Sequence, residues 1–301
     1  MPKAIHGLIE TMNHSNPVVS VIIPTYNQAN LLQKALESVI NQAFQDWEAI
    51  VIDNYSDDNT QQVVESRGDS RIKYIRFRNN GIIAASRNLG IAHSTGEYIA
   101  FLDSDDLWYP SKLSTCLFQF SQGADSVCHG MWIRKDGKLW KKFIPQQPKC
   151  DFYDTLLFEG NSTITTSTVV LKRDCLLKFG PFCEDQEIVT AEDYDLWLRL
   201  LKNTISWKVV PQILGEYTMH SSNSSNNIRR QMKSEETVFL RELKEIKSVS
   251  LMKRFHIKKR LMMIAFRAGR RVQLGDQWIA SLPFFIRGLS LLFKQIPSEV
   301  Q

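Results

Sequence analysis

The feature that most constrains this chain is a repeated change of period in its first third. VVSVIIP (residues 18–24) is a β-branched, apolar run, as a strand buried on both faces requires. After the turn-like TYNQAN, the segment LLQKALESVINQAF places Leu32, Leu36, Val39 and Ile40 at helical spacing. WEAIVID (47–53) is a second buried strand, and NYSDDNTQQVVESR is a polar turn entering a helix. IKYIRF is a third strand, NNGIIAASRNLGIAHS a glycine-punctuated turn and helix, and EYIAFLD a fourth strand. Strand and helix alternating across short links predict an α/β fold, a mostly parallel sheet flanked by helices.

Such sheets bind ligands beyond the carboxyl ends of their strands. Polar residues gather at those ends here: Thr25, Tyr26 and Asn27; Asp53 and Asn54; and FLDSDD, with Asp103, Asp105 and Asp106. Like charges this close raise one another's pKa unless a cation or water relieves them. Strand geometry continued for two residues would put Asp103 and Asp105 on one face, within reach of one hard cation, with Asp106 turned towards a helix N-terminus or water. A turn of solvated aspartates is the plainer reading of the same residues.

Beyond about Asp151 the pattern is mixed. STVVLKR (167–173) reads as a strand, AEDYDLWLRLLKN as a helix with Leu196, Leu200 and Trp197 inward, and WKVVPQILGEYTMH as extended. From about residue 228 the chain is helical and basic, with Gly275 and Asp276 as a break between two helices.

At 301 residues the chain can bury a full core as one large domain or two. A net charge of +5 suits an anionic ligand or surface, and no nucleic-acid partner is expected. Five cysteines (Cys116, Cys128, Cys150, Cys175, Cys183) form no CxxC pair, and an odd count argues against a disulfide framework. No apolar run reaches the roughly 18–20 residues that span a bilayer, and Glu10, His14 and Asn16 interrupt any signal-peptide core. The expected location is cytoplasmic.

Four segments in order carry a resemblance: VSVIIPTYN, IVIDNYSDDNT, NNGIIAASRNLGIAHSTGEYIAFLDSDD and AEDYDLWLRL. Together they resemble the family 2 glycosyltransferases of the GT-A fold, over roughly residues 18–225. The resemblance implies a Rossmann-like, mostly parallel sheet with a helical C-terminal extension. It implies a domain over 18–227, with a nucleotide-binding half (18–110) and an acceptor-side half (111–227), between an N-terminal extension (1–17) and a basic helical region (228–301). It further implies inverting transfer of a sugar from a nucleotide-diphosphate donor, usually UDP-linked, to a hydroxyl of a glycan or glycolipid acceptor, as in cell-surface polysaccharide synthesis.

On that resemblance, the Tyr26 ring packs on the base while Thr25 and Asn27 make polar contacts; a plain helix entry capped by Asn27 is the alternative. Asp53 accepts a hydrogen bond from the base. The usual DDGS pattern is broken here, since Asn54 and Tyr55 replace the second Asp and the Gly, and Tyr55 lacks the conformational freedom of Gly. Gly81 and Arg87 approach the nucleotide and brace the metal loop, the Arg pairing a diphosphate or a buried aspartate; a surface ion pair is the alternative. Asp105 is the direct ligand of a divalent metal, Mg²⁺ or Mn²⁺. Asp103 and Ser104 belong to the donor site, with Asp103 on ribose or metal-bound water. His220 lies near the diphosphate and metal, or is structural. Asp193 is the general base, with Glu192 supporting it or binding acceptor; acidic residues in a first helical turn are also ordinary dipole stabilisers.

The basic region 228–301 packs on the core or makes peripheral contact with anionic lipid at the inner membrane face. Two other classes compete. An aspartate-dependent phosphohydrolase would continue past DxD with Thr or Val, whereas Asp106 and Leu107 follow. A non-catalytic nucleotide-sugar-binding or assembly protein would break the metal or base position, yet Asp105 and Asp193 are present. A nicotinamide dehydrogenase fails because no GxGxxG follows the first strand.

Overall fold

The structure, a computed structural model, describes residues 16–147, 151–160, 164–203, 205–223, 226–245, 251–273 and 278–293. Most of the N-terminal extension, Cys150 and the Gly275–Asp276 break lie outside the described residues.

The chain begins β1 (Val19–Thr25), α1 (Ala29–Ile40), β2 (Trp47–Asp53), α2 (Thr60–Glu65), β3 (Ile72–Arg76), α3 (Ile83–His93) and β4 (Tyr98–Phe101). It continues with β5 (Leu107–Trp108), α4 (Lys112–Ser121), the hairpin β6 (Ser126–Lys135) and β7 (Lys138–Phe143), α5 (Phe152–Glu159), β8 (Val170–Lys172) and α6 (Arg173–Phe179). Last come α7 (Glu192–Lys202), β9 (Trp207–Met219), α8 (Ile228–Lys244), α9 (Leu251–Gln273) and α10 (Trp278–Phe293). By internal packing the chain divides into two units. One holds residues 1–148, 163–182 and 199–220; the other holds 149–162, 183–198 and 221–301.

The first unit is built on one sheet, ordered β3-β2-β1-β4-β8-β6-β9-β5, with β7 paired to β6. β3, β2, β1 and β4 run parallel, as the alternation of periods predicts. Every residue of β1 and β2 is buried, which is why these runs are apolar without alternation. α1 lays Leu32, Leu36 and Val39 on them. β8 then joins β4 antiparallel and turns the sheet mixed, because the chain enters it from the far side. β9 runs parallel to β6 and antiparallel to β5, so the end of β9 comes beside the loop that follows β4.

The second unit is helical among the described residues. Tyr194 and Trp197 of α7 are fully buried, as are Phe239 of α8 and Arg260 of α9. α9 and α10 pack through Phe266 and Phe285, whose ring centroids lie 5.6 Å apart. Among the described residues no helix is long and apolar enough to cross a membrane.

Candidate functional site

Parallel strands deliver their carboxyl ends to one edge of the sheet, and three loops meet there. After β1, Thr25 is buried while Tyr26 is half exposed. Asn27 takes a left-handed φ of 50°. It does not cap α1: its N–H donates to Ser56 Oγ (2.8 Å) and its Oδ1 accepts from the Asp57 N–H (2.8 Å). The helix entry is held by Asp58, which accepts from the Ala29 N–H. Asn27 thus ties the loop after β1 to the loop after β2. The Thr25 hydroxyl is buried with no hydrogen-bond partner among the described residues, and an orphan of that kind at a ligand edge calls for an explanation.

After β2, Asp53 is enclosed by donors: the Ser56 N–H (3.0 Å), the Ser56 hydroxyl, and the Tyr74 hydroxyl at 2.6 Å. Tyr55 sits at φ 59° despite its Cβ, so the turn keeps the backbone shape that Gly would give and carries an aromatic ring as well. The Arg76 and Arg78 guanidinium groups lie 4.6 and 4.8 Å from the centre of that ring. Asn54 Oδ1 accepts from the Asn79 N–H at 2.9 Å, and Asn79 Oδ1 accepts from the Gly81 N–H. Gly81, at φ 79°, turns the chain into α3.

α3 carries the buried Arg87, whose Nη2 lies 2.8 Å from Asp103 Oδ1. An ion pair on a buried guanidinium braces the loop after β4, unlike a solvated surface pair. That loop is not extended strand. β4 stops at Phe101, and the Asp106 N–H closes a turn onto the Asp103 carbonyl (3.0 Å). Asp106 therefore does not turn to water: it is buried, and Oδ1 accepts from the Thr218 N–H of β9 at 3.0 Å. Asp105 Oδ2 lies 2.8 Å from His220 Nε2, just past the end of β9. Burial and then the Asp103 charge push the Asp105 carboxyl above its usual range, with His220 opposing them. Burial, then Asp105 and Asp103, push Asp106 well above its usual range.

Sequence reasoning missed three supports of this loop. The Asp103 N–H donates to Ser167 Oγ (3.0 Å), the Trp108 indole donates to the Ser167 carbonyl (2.8 Å), and Ser104 Oγ donates to Gln28 Oε1. Ser167 lies in a run of Ser and Thr with no periodicity to single it out, and only the return of the chain as β8 brings it here.

Asp103, Asp105 and His220 offer hard oxygens and one imidazole. Among the described residues no three His, Cys, Asp or Glu side chains enclose a cation by themselves. Mg²⁺ is commonly held by one or two carboxylates, with substrate phosphates and water completing its shell. The donor set fits such an ion together with a phosphorylated ligand.

In the second unit, Glu192 is buried and accepts from the Thr190 N–H through Oε2 (2.8 Å), while Asp193 Oδ1 accepts from the Tyr194 N–H (2.7 Å). The Tyr194 hydroxyl reaches the Leu157 carbonyl at 3.2 Å, which also accepts from Arg260 Nε at 3.1 Å. Gly160, at φ 90°, packs its Cα against the Arg260 guanidinium so closely that a Cβ would lie 2.5 Å from it. The basic C-terminal region thus supplies a buried cation behind the helix of Glu192 and Asp193.

Comparison with known proteins shows the family and the fold. Residues 20–177 match the family described as Glycosyl transferase family 2. The chain is 35% identical over 219 residues, 72% of its own length and 83% of the relative's, to the UDP-Glc:alpha-D-GlcNAc-diphosphoundecaprenol beta-1,3-glucosyltransferase WfgD of Escherichia coli. It is 32% identical over 220 residues, 72% and 84% of the two chains, to the putative teichuronic acid biosynthesis glycosyltransferase TuaG of Bacillus subtilis. In fold it resembles S. aureus TarS solved with UDP-GlcNAc, at a TM-score of 0.65 and 20% identity, with 90% and 81% of the chains covered. A mannosyltransferase of Pyrobaculum calidifontis, solved with GDP-Man and Mn²⁺, superposes at a TM-score of 0.60 and 18% identity, covering 96% and 90%. The chain is a glycosyltransferase of the GT-A fold and belongs to glycosyl transferase family 2.

Proposed function

We propose that this glycosyltransferase inverts the anomeric centre as it moves a sugar from a UDP-linked donor to a hydroxyl of a glycan or glycolipid acceptor, in cell-surface polysaccharide or glycolipid synthesis at the cytoplasmic face of the membrane. The observation that carries the reading is the meeting of Asp103, Asp105, Arg87 and His220 at the carboxyl edge of the parallel strands. WfgD, named for a UDP-Glc donor and a diphosphoundecaprenol-linked sugar, supports both substrate classes.

Thr25, Tyr26, Asn27, Asp53, Asn54, Gly81 and Ser104 form the donor site in this proposal. The orphaned Thr25 hydroxyl gains a partner on the nucleotide, and the half-exposed Tyr26 ring covers the base. Asp53, already enclosed by Ser56 and Tyr74, holds its two oxygens fixed for the base edge. Arg87 holds Asp103 in place. Asp105 is the direct ligand of Mg²⁺ or Mn²⁺, with Asp103 and His220 completing the protein's share. When bound, such an ion offsets the negative charge that develops on the departing diphosphate. Asp193 takes the acceptor's proton as its oxygen attacks, and Glu192, fixed by the Thr190 N–H, supports the loop before it.

Asp193→Asn tests the reading most sharply. It is expected to lower transfer by about 10²–10⁴-fold while UDP binding, followed by calorimetry, stays within about twofold. Normal transfer by this variant would remove Asp193 from the mechanism.

A further inference from the structure

The hairpin of β6 and β7 carries no part of the chemistry above, yet it is unusually built. Over residues 131–144, MWIRKDGKLWKKFI, it holds five cations and one carboxylate. Arg134 is paired, its Nε 2.6 Å from Glu216 Oε2. Among the described residues Lys135, Lys138, Lys141 and Lys142 have no carboxylate partner. Two of them lie instead over indole rings, Lys142 at 5.0 Å from the centre of Trp132 and Lys135 at 5.7 Å from that of Trp140. β7 pairs with β6 and with no other strand among the described residues, so it is an edge.

Lysines on an edge strand also block pairing with another chain. That accounts for the charges and not for the apolar groups among them. Trp140 is 61% exposed, and its neighbour Leu139 is exposed as well. The register shows how Trp140 reaches solvent. Ile133 pairs with Lys141 while Arg134 pairs with Leu139, so Trp140 is the extra residue of a β-bulge. A bulge re-aims a side chain that simple alternation would place elsewhere. Exposed indole and aliphatic groups ringed by unpaired ammonium groups match the two layers of a membrane interface, an acyl boundary under a sheet of anionic headgroups.

We propose that the hairpin tip docks the protein on an anionic lipid surface, with Trp140 and Leu139 entering the headgroup layer and Lys135, Lys138, Lys141 and Lys142 meeting lipid phosphates. This deepens the reading of a lipid-linked acceptor and rests on that reading for its purpose alone. Docking needs neither nucleotide nor transfer, so the two fail separately.

The test is flotation of the full chain with vesicles of phosphatidylcholine containing 30 mol% phosphatidylglycerol, beside vesicles of phosphatidylcholine alone, at about 0.1 M salt. The protein is expected to float with the anionic vesicles and weakly with the neutral ones. Each charge near such a surface contributes about fivefold in partitioning, so Lys141→Glu with Lys142→Glu should weaken binding at least about 25-fold. Trp140→Ala should weaken it several-fold, with thermal melting unchanged in both variants. As a check independent of the charge variants, brominated lipid should quench tryptophan emission less in Trp140→Phe than in the parent. Three results overturn the proposal. One is equal flotation of parent and hairpin variants. Another is loss of flotation in Lys258→Glu with Lys259→Glu alone, which moves docking to α9. The last is binding to soluble polyphosphate but not to vesicles, which makes the hairpin a polyanion site.

Discussion

Carboxylates at the two ends of the same sheet are treated in opposite ways. Near the start of β2, Glu48 is buried among donors: the Ser20 hydroxyl, the Thr95 N–H and hydroxyl, and the Lys73 ammonium, all at 2.7 Å. Although burial alone raises a carboxyl, the Lys73 pairing and then the Ser20 and Thr95 bonds outweigh it and hold Glu48 down to about 2. At the other end, burial and then Asp103 push Asp105 up, and burial, then Asp105 and Asp103, push Asp106 up. The fold holds Glu48 below the usual carboxylate range with its own donors, whereas burial leaves Asp105 and Asp106 above it despite His220 and the Thr218 N–H. A group finished by the protein is structural; a buried cluster held at a cost is where a ligand is expected.

The largest way to break this contrast is Asp105→Asn. It should lower transfer by about 10²–10³-fold and abolish the effect of Mn²⁺ on UDP affinity, while the melting temperature of the metal-free protein stays level or rises, because like charge has been removed. A fall in melting temperature comparable to that of a core variant would make Asp105 structural. Glu48→Gln should do the reverse. Its amide oxygen can keep the three donors now on Oε1, but the N–H₂ then faces the Lys73 ammonium that Oε2 accepted from, costing about 2–3 kcal/mol and roughly 5–10 °C in melting temperature, with UDP binding unchanged. Altered nucleotide affinity in that variant would erase the distinction between the two ends.

The same contrast has opposite signs in pH. Glu48 is lowered in the folded chain, so its contribution is fully present above its unfolded pKa of 4.5 and is lost as pH falls towards about 2. Asp105 is raised above 3.8, so the folded chain holds a proton that the unfolded chain has released. Its penalty is complete above the raised value and is relieved as pH falls through it. Denaturant melts of metal-free protein should show Asp105→Asn gaining on the parent as pH rises above 4, and Glu48→Gln losing on it as pH rises from about 2 to 4.5. Parallel curves would contradict both assignments.

The smallest expected effect is at Thr25. Thr25→Val removes a buried hydroxyl that has no partner among the described residues, so stability should hold or rise by about 0.5–1 kcal/mol, and UDP affinity should fall about fivefold. Unchanged affinity would leave that hydroxyl unexplained by the nucleotide.

What could be read in the sequence follows from distance along the chain. The buried strands and α1 were legible because their patterns are local, and Asp53, Asp103 and Asp105 because parallel strands bring all their carboxyl ends to one edge. Asp106 was misplaced because its direction depends on the turn closed onto Asp103 and on the Thr218 N–H of β9, 112 residues away. Ser167 is one of many Ser and Thr in GNSTITTS, a run that resembles an acceptor-side loop and ranks none of them, and Arg260 had no local mark. Ser167 meets Asp103 through β8, and Arg260 looked like one more cation in a basic helix until its burial beside Leu157 and Gly160 was seen. The solvated-turn reading of FLDSDD loses to burial, which no spacing argument supplies.

The central claim is that the cluster after β4 is completed by a divalent cation and a nucleoside diphosphate together. Calorimetric titration of the protein with UDP, first with Mn²⁺ and then with excess chelator, tests it directly. The account predicts binding with Mn²⁺ that weakens at least about tenfold under chelation. Equal affinity with and without the metal, or no binding of UDP or any other nucleoside diphosphate, would contradict it.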